Sequence, residues 1–301
     1  MDNETREKIK EIVLSREQLR PLKRLPRLLK DPIRTIPYYL LASVSHIKPF
    51  QLTFKTMWGT KMTSFLPEGN TFLYYGFCEA NVTNFLLNYL HDGQTFIDIG
   101  AHVGIYTLLS SKLIGENGEV HSFEPTQRTY KLLEKNASQL NNVYLNNLAV
   151  HSSVGTITLT DFGPGFGAYN TAHQSGNKAL SKKSVTVRVN TTTLDTYTEK
   201  HNLKPDLVKI DAEGVEEKIL AGSSVLLKAH RPLIIIEVAN EDLWAENRSN
   251  SFETLQTNNY LPYQINQDGT ITPHHLQKNY LYDNLLFVPQ EKTETLKHLT
   301  I

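Results

Sequence analysis

The sequence predicts an α/β fold: a doubly wound, mostly parallel sheet of seven strands, preceded by an N-terminal helical and hairpin extension and interrupted by an antiparallel insertion. Three observations carry this. From residue 81 onward, short apolar runs alternate with helix-like runs, the rhythm of strands joined by crossover helices. The run 95–99, Thr-Phe-Ile-Asp-Ile, contains an acid and breaks into Gly100-Ala-His-Val-Gly104 before an apolar helix-like stretch. That is how a buried parallel strand hands its chain to a helix while leaving the turn's backbone free to touch a ligand. Two Thr- and Val-rich alternating segments, 155–161 and 184–190, depart from the rhythm and read as an antiparallel pair.

Bulk properties set the frame. With 301 residues, 40% apolar and 21% charged, the chain has the length for one large α/β domain with an extension and the composition of an ordinary globular protein. Its 31 Lys/Arg balance 31 Asp/Glu, but residues 1–50 carry 11 basic against 6 acidic side chains, leaving 20 against 25 for the rest. Such a basic arm either meets an acidic partner or membrane surface, or docks on its own acidic body as a solvated helical cap. The cap reading is preferred here, because Pro21, Pro26, Pro32 and Pro37 interrupt the arm and no dense basic block is present. Cys78 is the single cysteine, which excludes an intramolecular disulfide and favours a reducing, cytoplasmic setting. No apolar run approaches the roughly 18 residues of a membrane span, and no signal-peptide core opens the chain.

Taken in order, residues 3–20 predict a charged amphipathic helix with Ile9, Ile12, Val13 and Leu19 near one face. A proline-punctuated segment, 22–49, follows. Residues 50–66 alternate apolar and polar side chains like a hairpin turning at Trp58-Gly-Thr-Lys61. These pieces form an extension, 1–70, ahead of a main domain, 71–301. In that domain the pattern predicts a helix over 81–90, a strand over 95–99, a helix over 103–114, a strand over 119–123, a helix over 128–140 and a strand over 143–150. The insertion, 155–190, holds Gly163-Pro-Gly-Phe-Gly167 and a polar stretch to Lys183 that reads as a substrate lid. A strand over 206–210, a helix over 216–229 kinked at Gly222, the most apolar strand at 233–238, a helix over 241–258 and late strands near 263–266 and 285–288 complete the sheet. Ligands of such sheets bind beyond the carboxyl ends of the central strands.

Acids stand at those ends. Asp98 coincides with the Gly100 to Gly104 turn, where Gly100 permits close backbone approach and Gly104 close helix packing. Glu124, before Pro125 and about 20 residues past the glycine turn, is placed to accept hydrogen bonds from both hydroxyls of a ribose. Pyrophosphate cofactors call for Gly-x-Gly-x-x-Gly, yet the second glycine position is His102. A bulky side chain there disfavours a dinucleotide and fits an adenosine ligand without phosphates, such as S-adenosylmethionine. A second cluster, Lys209-Ile-Asp211-Ala-Glu213-Gly214, ends another apolar strand. It can bind a sulfonium-bearing ligand, take a proton from a hydroxyl or hold a divalent ion; alternatively it is a structural ion pair with a helix cap. His102, His121, His151, Tyr106 and Cys78 are weaker candidates; no zinc-ligand spacing, nucleophile elbow or nucleic-acid motif is present.

Phe96-Ile-Asp-Ile-Gly-Ala-His-Val-Gly104, Ser122-Phe-Glu-Pro125, Asn147-Leu-Ala-Val150, Leu194-Asp195 and Lys209-Ile-Asp-Ala-Glu-Gly214 together resemble the successive motifs of the FkbM family. These are class I S-adenosylmethionine-dependent methyltransferases with a Rossmann-like sheet. The resemblance runs from about Tyr75 to Phe287. It implies that Asp98, Gly100, Gly104 and Glu124 hold the cofactor, with Ala101, His102, Pro125 and Ala149 in the same set, and that Asp211 and Glu213, beside Lys209, face the methyl-transfer centre. Glu79 matches an acid that the family tends to have before its first core helix. The departure is His102, where the family commonly has Asn.

The expectation is therefore an S-adenosylmethionine-dependent O-methyltransferase acting on a hydroxyl of a sugar, glycan or other small-molecule acceptor. Asp211 or Glu213 would polarise or deprotonate that hydroxyl, with desolvation raising the carboxylate's basicity. A nicotinamide-dependent oxidoreductase on the same sheet and a non-catalytic S-adenosylmethionine-binding module are the alternatives. No metal and no nucleic-acid partner are expected, and membrane contact through the basic arm is not favoured.

Overall fold

The computed structural model describes residues 1–164, 184–212, 214–239, 245–277, 280 and 282–301. Most of the lid expected over 163–183, namely 165–183, lies outside the described residues, as do Glu213 and the start of the helix expected from 241.

Three helices open the chain: α1 (Asn3–Glu17), α2 (Arg24–Lys30) and α3 (Pro32–Ile47). Asp2 caps α1 by accepting from Thr5 N at 2.7 Å. Ile9 and Val13 are buried, and Arg6 donates to Leu87 O at 2.7 Å and Leu90 O at 2.6 Å, carbonyls at the far end of the first core helix. The proline-punctuated segment 22–49 is largely helical: Pro32 sits in the first turn of α3, where no amide donor is needed, and Pro37 is tolerated inside it. The expected hairpin is present as β1 (Phe50–Lys55) paired antiparallel with β2 (Lys61–Leu66). A short α4 (Asn70–Tyr75) and then α5 (Ala80–Tyr89) lead into the sheet.

The first half of the sheet is laid down by β3 (Thr95–Ile99), α6 (Ile105–Ile114), β4 (Glu119–Phe123), α7 (Gln127–Ala137) and β5 (Val143–Asn146). Residues 143–150, expected as one strand, divide into β5 and a two-residue β6 (Ala149–Val150). That piece joins a separate three-stranded sheet with the antiparallel pair β7 (Gly155–Asp161) and β8 (Val185–Thr192). After α8 (Leu194–His201) come β9 (Leu207–Ile210), α9 (Glu216–Ala221), β10 (Leu233–Ala239), α10 (Ala245–Thr257), β11 (Tyr260–Ile265), β12 (Ile271–Pro273) and β13 (Tyr282–Pro289). Gly222 ends α9 rather than kinking it, and a separate π-helical turn follows at Leu226–His230.

The main sheet runs β12-β11-β13-β10-β9-β3-β4-β5. Among the described residues it has eight strands, not seven, because the three-residue β12 pairs onto the edge of β11; a strand that short leaves almost no pattern in sequence. From β10 to β5 the strands are parallel, whereas β13 is antiparallel to β10. Alternate residues feed two cores. Phe96, Val120 and Leu207 pack on the α1, α5 and α6 side, and Ile97, Phe123 and Val208 pack on the side of α8 to α10. Burial on both faces explains why the run Leu233-Ile-Ile-Ile236 of β10 is continuously apolar.

Candidate active site

The order of the parallel strands reverses between β3 and β9, and the register there decides the geometry. Ile99 lies level with Phe123 of β4 and with Ile210 of β9. The residues that follow, Gly100, Glu124 and Asp211, therefore emerge side by side at the carboxyl edge, the switch point where such sheets bind ligands. A cavity of about 310 Å³ opens there, at the lower end of the roughly 300–1,000 Å³ range of small-molecule sites.

The turn is fixed by its neighbours. Gly100 N and Ala101 N both donate to Phe123 O, at 3.0 and 2.9 Å. A Cβ on Gly100, whose φ is +78°, would lie 1.8 Å from the Asp211 carbonyl oxygen, so only glycine lets the turn pass the end of β9. Gly104, at φ +94°, brings α6 close to α7, because a Cβ there would meet Leu133 Cδ1 at 2.7 Å. His102 takes a left-handed φ of 51°, and its Nε2 pairs with Glu68 Oε1 at 2.7 Å. Burial works to lower the His102 pKa, but Glu68 and then Glu124 and Asp211 outweigh it, so the imidazole is held above its ordinary value.

Glu124 lies at the tip of β4. Its Oε2 accepts from His102 N at 3.2 Å and its Oε1 from Thr126 N at 2.9 Å. The Thr126 side chain also hydrogen-bonds Glu124, which leaves about one of the carboxylate's roughly four lone pairs for a ligand hydroxyl. Burial raises its pKa to about 6, against the pull of His102 and the two amides.

At the tip of β9, Lys209 Nζ pairs with Asp211 Oδ2 at 2.6 Å and stands 5.0 Å from the centre of the Tyr106 ring. Lys209 is 1% exposed. Burial disfavours its ammonium, but Asp211, Glu79 and Asp98 reverse this and hold its pKa above the ordinary lysine value. The expectation that desolvation makes Asp211 more basic is overturned. Burial does push its pKa up, but the Lys209 ammonium and a hydrogen bond with Glu237 prevail, and the carboxyl is held below its ordinary value. Glu216 Oε1 accepts from Ala212 N and Gly214 N, both at 3.2 Å, and so ties down the turn after Asp211. Glu79 accepts from Tyr106 Oη at 2.6 Å and from Asn284 Nδ2 at 2.5 Å.

Of the residues singled out in the sequence, Glu79, Gly100, Ala101, His102, Glu124, Pro125, Ala149, Lys209 and Asp211 line this cavity. Asp98 and Gly104 do not. Asp98 is buried behind the turn, accepting from Thr107 Oγ1 at 2.7 Å, and burial raises its pKa despite Lys209. His121 is a packing residue bonded to Tyr197 Oη at 2.9 Å. Cys78 lines the cavity, but burial pushes its thiol far up, away from the nucleophilic thiolate. Glu68 and Glu237 were missed. Glu237 had a signal, since it is the acid that follows the apolar run 233–236 in a predicted strand; Glu68 sits in a connecting loop without a motif.

The lining is acidic. Glu68, Glu79, Glu124, Asp211 and Glu237 face Lys209 and His102, and Lys209 is already paired. Such a wall repels a pyrophosphate and attracts a cation. It suits a ribose at Glu124 and a sulfonium beside the carboxylates. A second cavity, about 680 Å³, shares Pro125 and Thr126 with the first and is lined by Gln51, Arg128, Lys131, Lys135, Arg188 and Asn190 among others.

The fold is that of the class I methyltransferases. The model of the Methyltransferase FkbM domain matches residues 98–258, more than half of the chain, and the protein belongs to that family. Among solved structures, it is similar to the methyltransferase FkbM from Methylobacillus flagellatus KT, at 13% identity and a TM-score of 0.43, over 73% of this chain and 55% of that one. It is also similar to an O-methyltransferase from Bacillus cereus in complex with SAH (15% identity, TM-score 0.39, 69% of this chain and 78% of that one). A third similar structure is fibrillarin from Aeropyrum pernix with bound S-adenosyl-L-methionine (12% identity, TM-score 0.39, 70% and 76%). No curated protein matches the sequence.

Proposed function

We propose that this methyltransferase transfers the methyl group of S-adenosylmethionine to a hydroxyl oxygen of a sugar, glycan or other small-molecule acceptor. The observation that carries the reading is the convergence of Glu124 and the Lys209–Asp211 pair on one acid-lined cavity beside the Gly100 turn. S-adenosylmethionine is its methyl donor, supplying an electrophilic methyl on sulfur. Glu124 is placed for the ribose, while Gly100 and Ala101 form the floor of the turn. Asp211, anionic through Lys209, accepts a hydrogen bond from the acceptor hydroxyl and fixes its oxygen in line with the methyl carbon and sulfur. The O–C bond forms as the C–S bond breaks. The hydroxyl proton becomes strongly acidic during this step, so a carboxylate with a depressed pKa suffices to receive it. Amides and cations in the adjoining cavity, among them Gln51, Asn190, Lys131 and Arg188, supply the donors and acceptors that a polyhydroxylated acceptor requires.

The test is Asp211→Asn, assayed for methyl transfer to glycan fractions and for donor binding by calorimetry. Turnover should fall about 10²- to 10⁴-fold, with donor affinity changed by less than about threefold. Unchanged turnover removes Asp211 from the reaction. Mass spectrometry of the product locates the methyl; an N- or C-methylated product overturns the oxygen-directed reading, and heat with NAD but none with S-adenosylmethionine overturns the whole.

A further inference from the structure

Helix α3 is amphipathic in the wrong sense for a core helix. Two polar side chains of its inward face, Thr35 and Ser45, are fully buried, beside Tyr38, which packs on the core; Thr35 Oγ1 meets Tyr74 Oη of α4 at 3.0 Å. Its apolar stripe, Ile33, Ile36, Leu40, Val44 and Ile47, points to solvent, with Ile33 85% and Ile47 87% exposed. The steps of three, four, four and three place all five on one helical face. Leu25 and Leu29, one turn apart on α2, are exposed as well. Seven large aliphatic side chains clustered on two consecutive helices exceed the scattered exposure that a solvated surface tolerates.

The charge around this stripe indicates its occupant. Residues 18–49 carry seven Lys/Arg and one acid, Asp31, and that acid is spent on the α3 cap and on Arg34. Lys23, Arg24, Lys30, Arg34 and Lys48 are exposed. A second copy of the chain would bring the same cations face to face, which disfavours self-association through this face. An aliphatic stripe bordered by cations is what an anionic lipid surface receives: the side chains enter the headgroup boundary and the cations meet lipid charge. No helix among the described residues is long and apolar enough to cross a membrane, so the contact is interfacial. We propose that the α2–α3 face docks this protein on anionic membranes. The docked element adjoins the active site, since α3 packs on α4 and the α4 residues Thr71 and Phe72 line the donor cavity.

The experiment is vesicle co-sedimentation of the full chain, comparing phosphatidylcholine alone with mixtures holding about 30 mol% phosphatidylserine. Partitioning into the anionic vesicles should exceed that into neutral ones at least about tenfold, and fall at least about tenfold with Leu40→Glu or Ile36→Glu. Raising salt to about 1 M, where screening shortens to about 3 Å, should also release it. Calorimetry with S-adenosylmethionine checks that the variants keep their fold. Binding to neither vesicle, equal binding to both, or binding indifferent to both variants overturns the proposal. So does a dimer in sedimentation velocity that Leu40→Glu dissolves, or capture by polyglutamate instead of vesicles, which assigns the face to an acidic protein.

Discussion

At the scale of single residues, the site is governed by how burial and partners divide its carboxylates. Glu124 and Asp211 both stand at strand ends, yet burial lifts the first to about 6 while Lys209 holds the second low. The raised pKa of Glu124 means that the neutral acid is favoured in the fold. Stability from this group is fully present below about 4.5 and lost as pH rises through about 6. On the proposed ribose role of Glu124, donor binding runs the other way, because a ribose hydroxyl and two amides need the carboxylate as acceptor. Affinity for S-adenosylmethionine should therefore weaken about tenfold per pH unit below about 6, and Glu124→Gln should weaken it at all pH values and flatten the profile. Calorimetric titrations from roughly pH 5 to 8 decide this; a flat wild-type profile removes Glu124 from the ribose. Lys209 offers a complementary case. Lys209→Met leaves Asp211 without its counter-ion and should cost about 3–5 kcal/mol, with much of the loss recovered in Lys209→Met/Asp211→Asn. Equal losses in the single and double variants, measured by denaturant unfolding, would show that the pair is not coupled.

Between elements, the contact that assembles the site is the passage of the β3–α6 turn across the end of β9. Gly100→Ala places a methyl 1.8 Å from a backbone carbonyl, which no rotamer relieves. The variant should lose about 3 kcal/mol or more and bind no donor; a stable variant with normal donor affinity would contradict the close approach. This contact also shows what sequence patterns can and cannot convey. Strand-tip acids, the glycine turn and the β-α order are local, so Glu124, Gly100 and Asp211 were legible one by one, and their level register followed from two adjacent parallel strands. The pKa of Asp211 was not legible, because it depends on how closely Lys209 approaches, not on the two-residue spacing. Glu68 was invisible for a related reason: its partner, His102, is 34 positions away and joined to it only by tertiary packing. The helices of residues 22–49 were hidden by prolines, although Pro32 occupies the one helical position where proline is favoured.

For the molecule as a whole, the question is whether the N-terminal arm is an appendage or part of the cooperative unit. Ile9 and Val13 of α1 belong to the same buried cluster as Phe85 of α5, Phe96 of β3 and Leu108 of α6. Arg6 closes the carboxyl ends of two helices at once, donating to Leu87 O, Leu90 O and, at 3.3 Å, Leu113 O. Those carbonyls would otherwise lack partners. The hairpin is tied in separately, with Thr63 N donating to Asn136 Oδ1 at 2.7 Å and Asn136 Nδ2 to Val103 O at 2.8 Å. An arm held this way should melt with the sheet. Val13→Ala removes buried methyls from a fully enclosed site and should cost about 2–3 kcal/mol. The loss should appear as one shifted transition, the same by far-UV circular dichroism, by fluorescence of the buried Trp58 and by loss of donor binding. Two separated transitions, with donor binding surviving the first, would show instead that residues 1–70 fold and unfold on their own account.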